Sequence, residues 1–167
     1  MLRQSPKEDK AMFKTFLVCM FFTIAAHSQV VVGDTTSEIR EVILANLDYM
    51  NENSSQDPNR ISSKGTSEFW SSGGLLNQIA QGSSEMRFEY FKGVAKHISV
   101  IPLVKDKAAV AHYYQEAVMQ PEGLPAVPNY RTRVTQVFIK EDDQWKVRAS
   151  HFSPLEGGAG TSQSVAK

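Results

Sequence analysis

The chain has 167 residues, 41% of them hydrophobic, with 18 basic residues against 18 acidic ones. That length and composition fit one globular domain with a proper core. The balanced charge, with no run of five like charges, argues against nucleic acid or an anionic membrane as partner.

Residues 16–26 are apolar except for Thr23 and follow Lys14. The stretch is too short to span a bilayer. A basic start, an apolar middle and the small-x-small pattern Ala26-His27-Ser28 before Gln29 predict a signal peptide over residues 1–28. The alternative is a buried helix. Translation could begin at Met1 or at Met12. The expected protein is secreted or periplasmic, with no membrane attachment after cleavage. Cys19, the only cysteine, lies inside the apolar stretch. The exported chain would therefore have no disulfide, no thiol chemistry and no cysteine-based metal site.

A leader over residues 29–37 contains Thr35-Thr36-Ser37-Glu38, a capping-box arrangement that predicts a helix start. Ile39, Val42, Ile43, Leu47 and Met50 recur at spacings of three and four, giving that helix one apolar face. It is expected to end in the polar stretch 51–58. Gly73-Gly74 allows a tight turn, and a short helix is expected over residues 75–80. The aromatics Phe69, Trp70, Phe88, Tyr90 and Phe91 cluster around it. They read chiefly as capping a core, with Trp70 the candidate ligand contact among them.

From residue 94 the pattern changes to strands. Residues 94–104, rich in β-branched side chains, and residues 108–119 predict an antiparallel hairpin across Lys105-Asp106-Lys107. A Pro/Gly loop follows, and residues 130–140 and 144–153 predict a second hairpin across Glu141-Asp142-Asp143. The Gly- and Ser-rich tail, 156–167, is expected to be disordered. A helix first and an antiparallel meander afterwards is an α+β pattern.

The segment TQVFIKEDDQWKVRASHFS over residues 135–153 resembles the last hairpin of SnoaL-like, nuclear transport factor 2-like domains. It is closest to the association domain of calmodulin-dependent protein kinase. In that family a Thr-x-Val strand leads through an acidic turn to Trp, with His and Ser six and eight residues after it. The resemblance, spanning most of residues 38–155, implies a cone-shaped half-barrel: a curved antiparallel sheet covered by N-terminal helices around a ligand pocket. It also implies a homodimer through the sheet. It implies no single function, because members include isomerases, dehydratases, cyclases, transport factors and assembly hubs.

Strand alternation puts His112, Tyr114 and Glu116 on one face of their strand, and on the facing hairpin Val134, Gln136 and Phe138 share a face, as do Arg148, Ser150 and Phe152. The resemblance places the kinase domain's ligand-holding arginines at Tyr114, Gln136 and Phe152, so these positions are expected to look into the pocket. None is arginine here, which points to a neutral or apolar ligand. Two functions follow. One is a small-molecule binder using Tyr114, Gln136, Phe152, Trp70 and Arg131. The other is a cofactor-free isomerase, dehydratase or cyclase, with His112, Tyr114 and Glu116, and Asp48 in support, moving protons on a carbonyl compound.

Arg131 and Arg133 share a face and could hold an anion or pair with Glu116 across strands. His151 is expected to share a face with Trp145, Val147 and Ser153 in a structural role. The four histidines form no ligand spacing, so no metal is expected. No phosphate loop or nucleophile turn occurs, and no cofactor is expected.

Overall fold

The computed structural model describes residues 34–83 and 86–155. The expected signal peptide, the start of the leader and the tail from 156 onward lie outside the described residues.

Helix α1, Thr35–Asn53, buries Thr35, Ile39, Ile43 and Leu47, the face that the apolar spacing predicts. Its start differs from expectation. Asp34 is the N-cap and no side chain caps the helix. Thr35 Oγ1 instead donates to Asp106 Oδ1 at 3.1 Å. Glu38 Oε2 accepts from Trp145 Nε1 at 2.6 Å and from Lys140 Nζ at 3.2 Å. A carboxylate placed to close a capping box therefore clamps the far hairpin instead. At the other end, Ser54 takes the left-handed conformation and its amide donates to the Met50 carbonyl.

A 3-10 turn, Pro58–Arg60, leads into β1, Thr66–Phe69, and β2, Asn77–Ile79. The expected helix over 75–80 is thus a correction: residues 77–79 pair antiparallel with β1. An apolar run that short does not separate helix from strand by periodicity, and here the sheet edge decides it.

The long strands follow as β3, Phe88–Val104; β4, Ala108–Pro121; β5, Val127–Glu141; and β6, Gln144–Pro154. The sheet order is β2-β1-β6-β5-β4-β3. Only β1 and β6 run parallel. Asp142 and Asp143 both have positive φ, the geometry of a two-residue hairpin turn that matches strand twist.

Register shifts at five places bend the sheet, and two of them matter most for which residues point inward near the site. In β3 the pairing jumps between Lys96 and Ser99, with His97 at φ +53°. Phe91 and Gly93 are buried before it and Ile98 after it. In β6, Val137 faces Ala149 while Phe138 faces Val147, so Arg148 is the extra residue. Trp145 and Val147 are buried before that bulge and Ser150 after it. His151 consequently does not share a face with Trp145 and Val147. It is exposed, with its ring edge-on to Phe69 at 5.8 Å.

The main core packs Ile39 and Ile43 of α1 on Ala109, Ala111, Val134, Phe138 and Val147 of the inner sheet face. The result is an α+β cone, one helix over a curved, unclosed sheet.

Candidate functional site

Between α1 and the inner sheet face lies a cavity of about 680 Å³. Its walls are apolar and soft: Leu47 and Met50 from the helix, Phe88 and Phe91 from β3, Met119 from β4 and Phe152 from β6. Phe88 and Phe91 pack together with ring centroids 5.0 Å apart. The β4–β5 loop and residues 70–72 after β1 form its rim, where Ser71 Oγ and Tyr130 Oη are hydrogen-bonded at 2.9 Å.

The polar part of the cavity is organised around Glu68, which is 1% exposed. Arg60 Nη1 donates to Glu68 Oε1 at 2.9 Å, and Arg60 Nη2 donates to Gln56 Oε1 at 2.8 Å. Trp70 Nε1 donates to Glu68 Oε2 at 3.2 Å. Ser150 Oγ donates to Glu68 Oε1 at 3.3 Å, Gln136 Nε2 donates to Ser150 Oγ at 3.2 Å, and Tyr113 Oη donates to Gln136 Oε1 at 3.0 Å. One buried ion pair is thus extended by neutral groups across β1, β6, β5 and β4. Its two charges cancel, and burial without such pairing would cost several kcal/mol per ion, on the order of the penalty for desolvating any charge. Burial pushes the Tyr113 phenol far above its ordinary value, with the nearby Arg60 charge opposing, so Tyr113 stays protonated.

Gln115 completes the site. It lines the cavity, is 6% exposed, and its amide makes no hydrogen bond among the described residues. Buried side-chain amides are ordinarily paired. Two further buried polar atoms at the wall, Arg60 Nε and Thr132 Oγ1, have no protein partner and are fully covered by neighbouring atoms.

The expected site residues divide into two groups. Gln136, Phe152 and Trp70 line the cavity, and Arg131 lies at its rim, exposed and directly opposite Glu116 on the neighbouring strand. His112, Tyr114 and Glu116 do not reach it. Along β4 the buried residues are Ala109, Ala111, Tyr113, Gln115 and Ala117, so the expected inward face is the outer one. There His112 Nδ1 is hydrogen-bonded to Thr135 Oγ1 at 2.9 Å. Tyr114 meets the His97 ring edge-on at 6.0 Å, and Glu116 pairs with Lys96 at 2.5 Å. The Lys96 contact holds the Glu116 carboxyl below its ordinary value. Asp48 is exposed on the helix. Arg133 Nη2 donates to the Pro154 carbonyl at 3.0 Å.

Sequence reasoning missed Arg60, Glu68, Tyr113 and Gln115. The alternation that would have found the last two is present, but their neighbours on that face are three alanines, chosen to let α1 sit close, which carry no hydrophobic signal. Arg60 and Glu68 leave no trace in spacing, because they meet only through the 3-10 turn and β1.

Among the described residues, no group of three His, Cys, Asp or Glu side chains is placed to hold a metal ion. No described helix is long and apolar enough to cross a membrane.

No family model matches the chain, and no curated protein matches it. Solved structures do. A nuclear transport factor 2-like superfamily protein from Salmonella enterica is 19% identical, with a TM-score of 0.58 over 77% of this chain and 96% of that one. An NTF2-like protein of unknown function from Pseudomonas putida is 17% identical, with a TM-score of 0.53 over 74% and 93%. The association domain of C. elegans CaMKII is 15% identical, with a TM-score of 0.50 over 70% and 93%. The chain has the nuclear transport factor 2-like fold, the cone that its last hairpin resembles. At these identities the likeness extends to the fold alone.

Proposed function

We propose that the chain is an exported domain that binds one small, neutral, mostly apolar molecule in its cone, and that it does so as a homodimer. The observation that carries the reading is the cavity's charge balance. Arg60 and Glu68 neutralise each other, Arg131 lies at the exposed rim opposite Glu116, and the rest of the lining is hydrocarbon, aromatic ring or neutral amide and hydroxyl. Apolar walls with a few convergent polar groups are what a ligand pocket needs. A ligand carrying its own charge would lose hydration without finding an uncompensated partner.

The proton-transfer reading rested on His112, Tyr114 and Glu116, and these lie on the outer face. The titratable groups inside the cone are tied into a static network with Tyr113 kept protonated, which suits orientation of a ligand better than proton shuttling.

Dimerisation is supported by the outer face of β3 and β4, where exposed Tyr90, Val94, Tyr114 and Val118 alternate with Gln120, Glu116, Lys96 and Lys92 across the two strands. Exposed large apolar and aromatic side chains grouped on one sheet face, interspersed with charges, suit an interaction surface. Export is supported by the sequence of residues 14–28, and N-terminal sequencing of the natural protein would read Gln29 first.

The pocket is tested by titrating pyrene, a fluorescent four-ring hydrocarbon, into wild type and into the triple variant Leu47→Trp/Met50→Trp/Met119→Trp, which places three indole rings in the cavity. Saturable one-to-one binding to wild type and its loss in the variant are expected. Equal binding to both would place the dye elsewhere and remove the reading.

A further inference from the structure

The hydrogen-bond chain beneath the cavity has a direction, and that direction fixes what it can offer a ligand. Glu68 is held as an acceptor because Arg60 Nη1 and Trp70 Nε1, which have no acceptor capacity, donate to its two oxygens. Ser150 has one hydroxyl proton and gives it to Glu68, so its oxygen accepts from Gln136. The Gln136 amide is thereby turned with Nε2 toward Ser150 and Oε1 toward Tyr113. Tyr113 then donates its single proton to Gln136 Oε1. A phenol whose proton is committed has only lone pairs left.

Gln115 lies two residues from Tyr113 on the same inner face of β4, lining the cavity, and its amide has no partner among the described residues. That amide can both donate and accept. Arg60 Nε and Thr132 Oγ1, being fully covered, are not what an occupant meets.

We infer that the cavity selects a ligand whose polar end is a hydroxyl group, which donates to Tyr113 Oη and accepts from the Gln115 amide. This rests on the reading of the cone as a pocket for a neutral molecule. A carbonyl or an ether can accept from Gln115 but gives Tyr113 nothing, leaving two oxygen lone pairs facing each other. A hydroxyl serves both groups. The class is therefore an alcohol or phenol on an apolar ring skeleton.

The test uses three probes with one skeleton: 1-hydroxypyrene, 1-methoxypyrene and pyrene-1-carbaldehyde, titrated by fluorescence at neutral pH. Wild type is expected to bind the hydroxyl probe roughly tenfold more tightly than either of the others, the size of one net hydrogen bond. Tyr113→Phe should bring the three to parity. Gln136→Leu frees the Tyr113 proton and should turn the preference toward the carbaldehyde, a reversal that a merely structural role for Gln136 does not produce. Should either variant fail to fold, the wild-type ranking decides alone. The inference is overturned if the methoxy or carbaldehyde probe binds wild type as tightly as the hydroxyl probe, or if the hydroxyl preference survives in Tyr113→Phe. If no pyrene probe binds wild type at all, the pocket reading itself falls, and with it this inference.

Discussion

Arg60 and Glu68 meet at 2.9 Å beneath the cavity, both almost wholly buried, and among the described residues neither has another group of opposite charge in hydrogen-bond contact. Removing one partner of such a pair leaves an uncompensated buried charge. Arg60→Met and Glu68→Gln should therefore each cost about 3–5 kcal/mol in urea unfolding. The double variant Arg60→Met/Glu68→Gln should cost clearly less than the sum of the singles, because the second change relieves the charge the first one stranded. Additive losses would show that the pair is not coupled.

Glu38 and Glu141 couple distant parts of the fold to pH. Hydrogen bonds from Trp145 and Lys140 hold the Glu38 carboxyl below its ordinary 4.5. The Ser63 amide, with the Ser62 and Ser63 hydroxyls, does the same for Glu141. A carboxyl whose folded value is depressed contributes stability that is fully present above its unfolded value and lost as pH falls through the folded one. Melting temperature should thus be flat above about pH 5 and drop below pH 4.5, and Glu38→Gln and Glu141→Gln should each melt lower at neutral pH with a shallower acid drop. An unchanged acid slope in both variants would remove these residues from the account.

Gly93 sits where the helix presses on β3. Asn51 clamps its backbone from both sides, Nδ2 donating to its carbonyl at 3.0 Å and its amide donating to Oδ1 at 2.8 Å. A Cβ there would lie 2.8 Å from the Phe91 ring, itself buried against Phe88. Gly93→Ala should destabilise by about 1–3 kcal/mol through overpacking. Pairing it with Phe91→Leu should recover part of the loss, as judged by chemical denaturation.

The outer face gives a separable outcome. Tyr114→Asp and Val94→Asp are expected to shift sedimentation from dimer to monomer while pyrene binding stays within about twofold of wild type, since no side chain of theirs enters the cavity. Loss of pyrene affinity in proportion to dimer loss would instead mean that the second copy completes the pocket.

Much of this fold is legible in the sequence because its long elements repeat a pattern. The α1 face from Ile39 to Leu47 has helical spacing, and the acidic turn at Asp142-Asp143 has the residues its positive φ values need. The resemblance of residues 135–153 then supplies the topology that patterns do not. What stays hidden is the inside of the cone. Each bulge shifts the inward parity by one, so counting from Trp145 misplaces His151, and counting from the larger polar residues of β4 selects His112, Tyr114 and Glu116 instead of Tyr113 and Gln115. Glu68 sits on a four-residue strand whose neighbours in space, Arg60 and Ser150, are distant in pattern or in sequence. Apart from the Tyr113 and Gln115 pair on β4, the site is assembled from single residues of separate elements and has no periodicity to read.

The most direct test of the central claim is a comparison of charge. One skeleton is offered to the wild-type protein as 1-pyrenemethanol and as pyrene-1-carboxylate, and the two dissociation constants are measured at neutral pH. A cone whose buried charges among the described residues, Arg60 and Glu68, cancel predicts that the alcohol binds at least about tenfold more tightly, the equivalent of roughly 1.4 kcal/mol. Tighter binding of the carboxylate would mean that Arg60 or the rim residue Arg131 acts as an available cation, and would contradict the account.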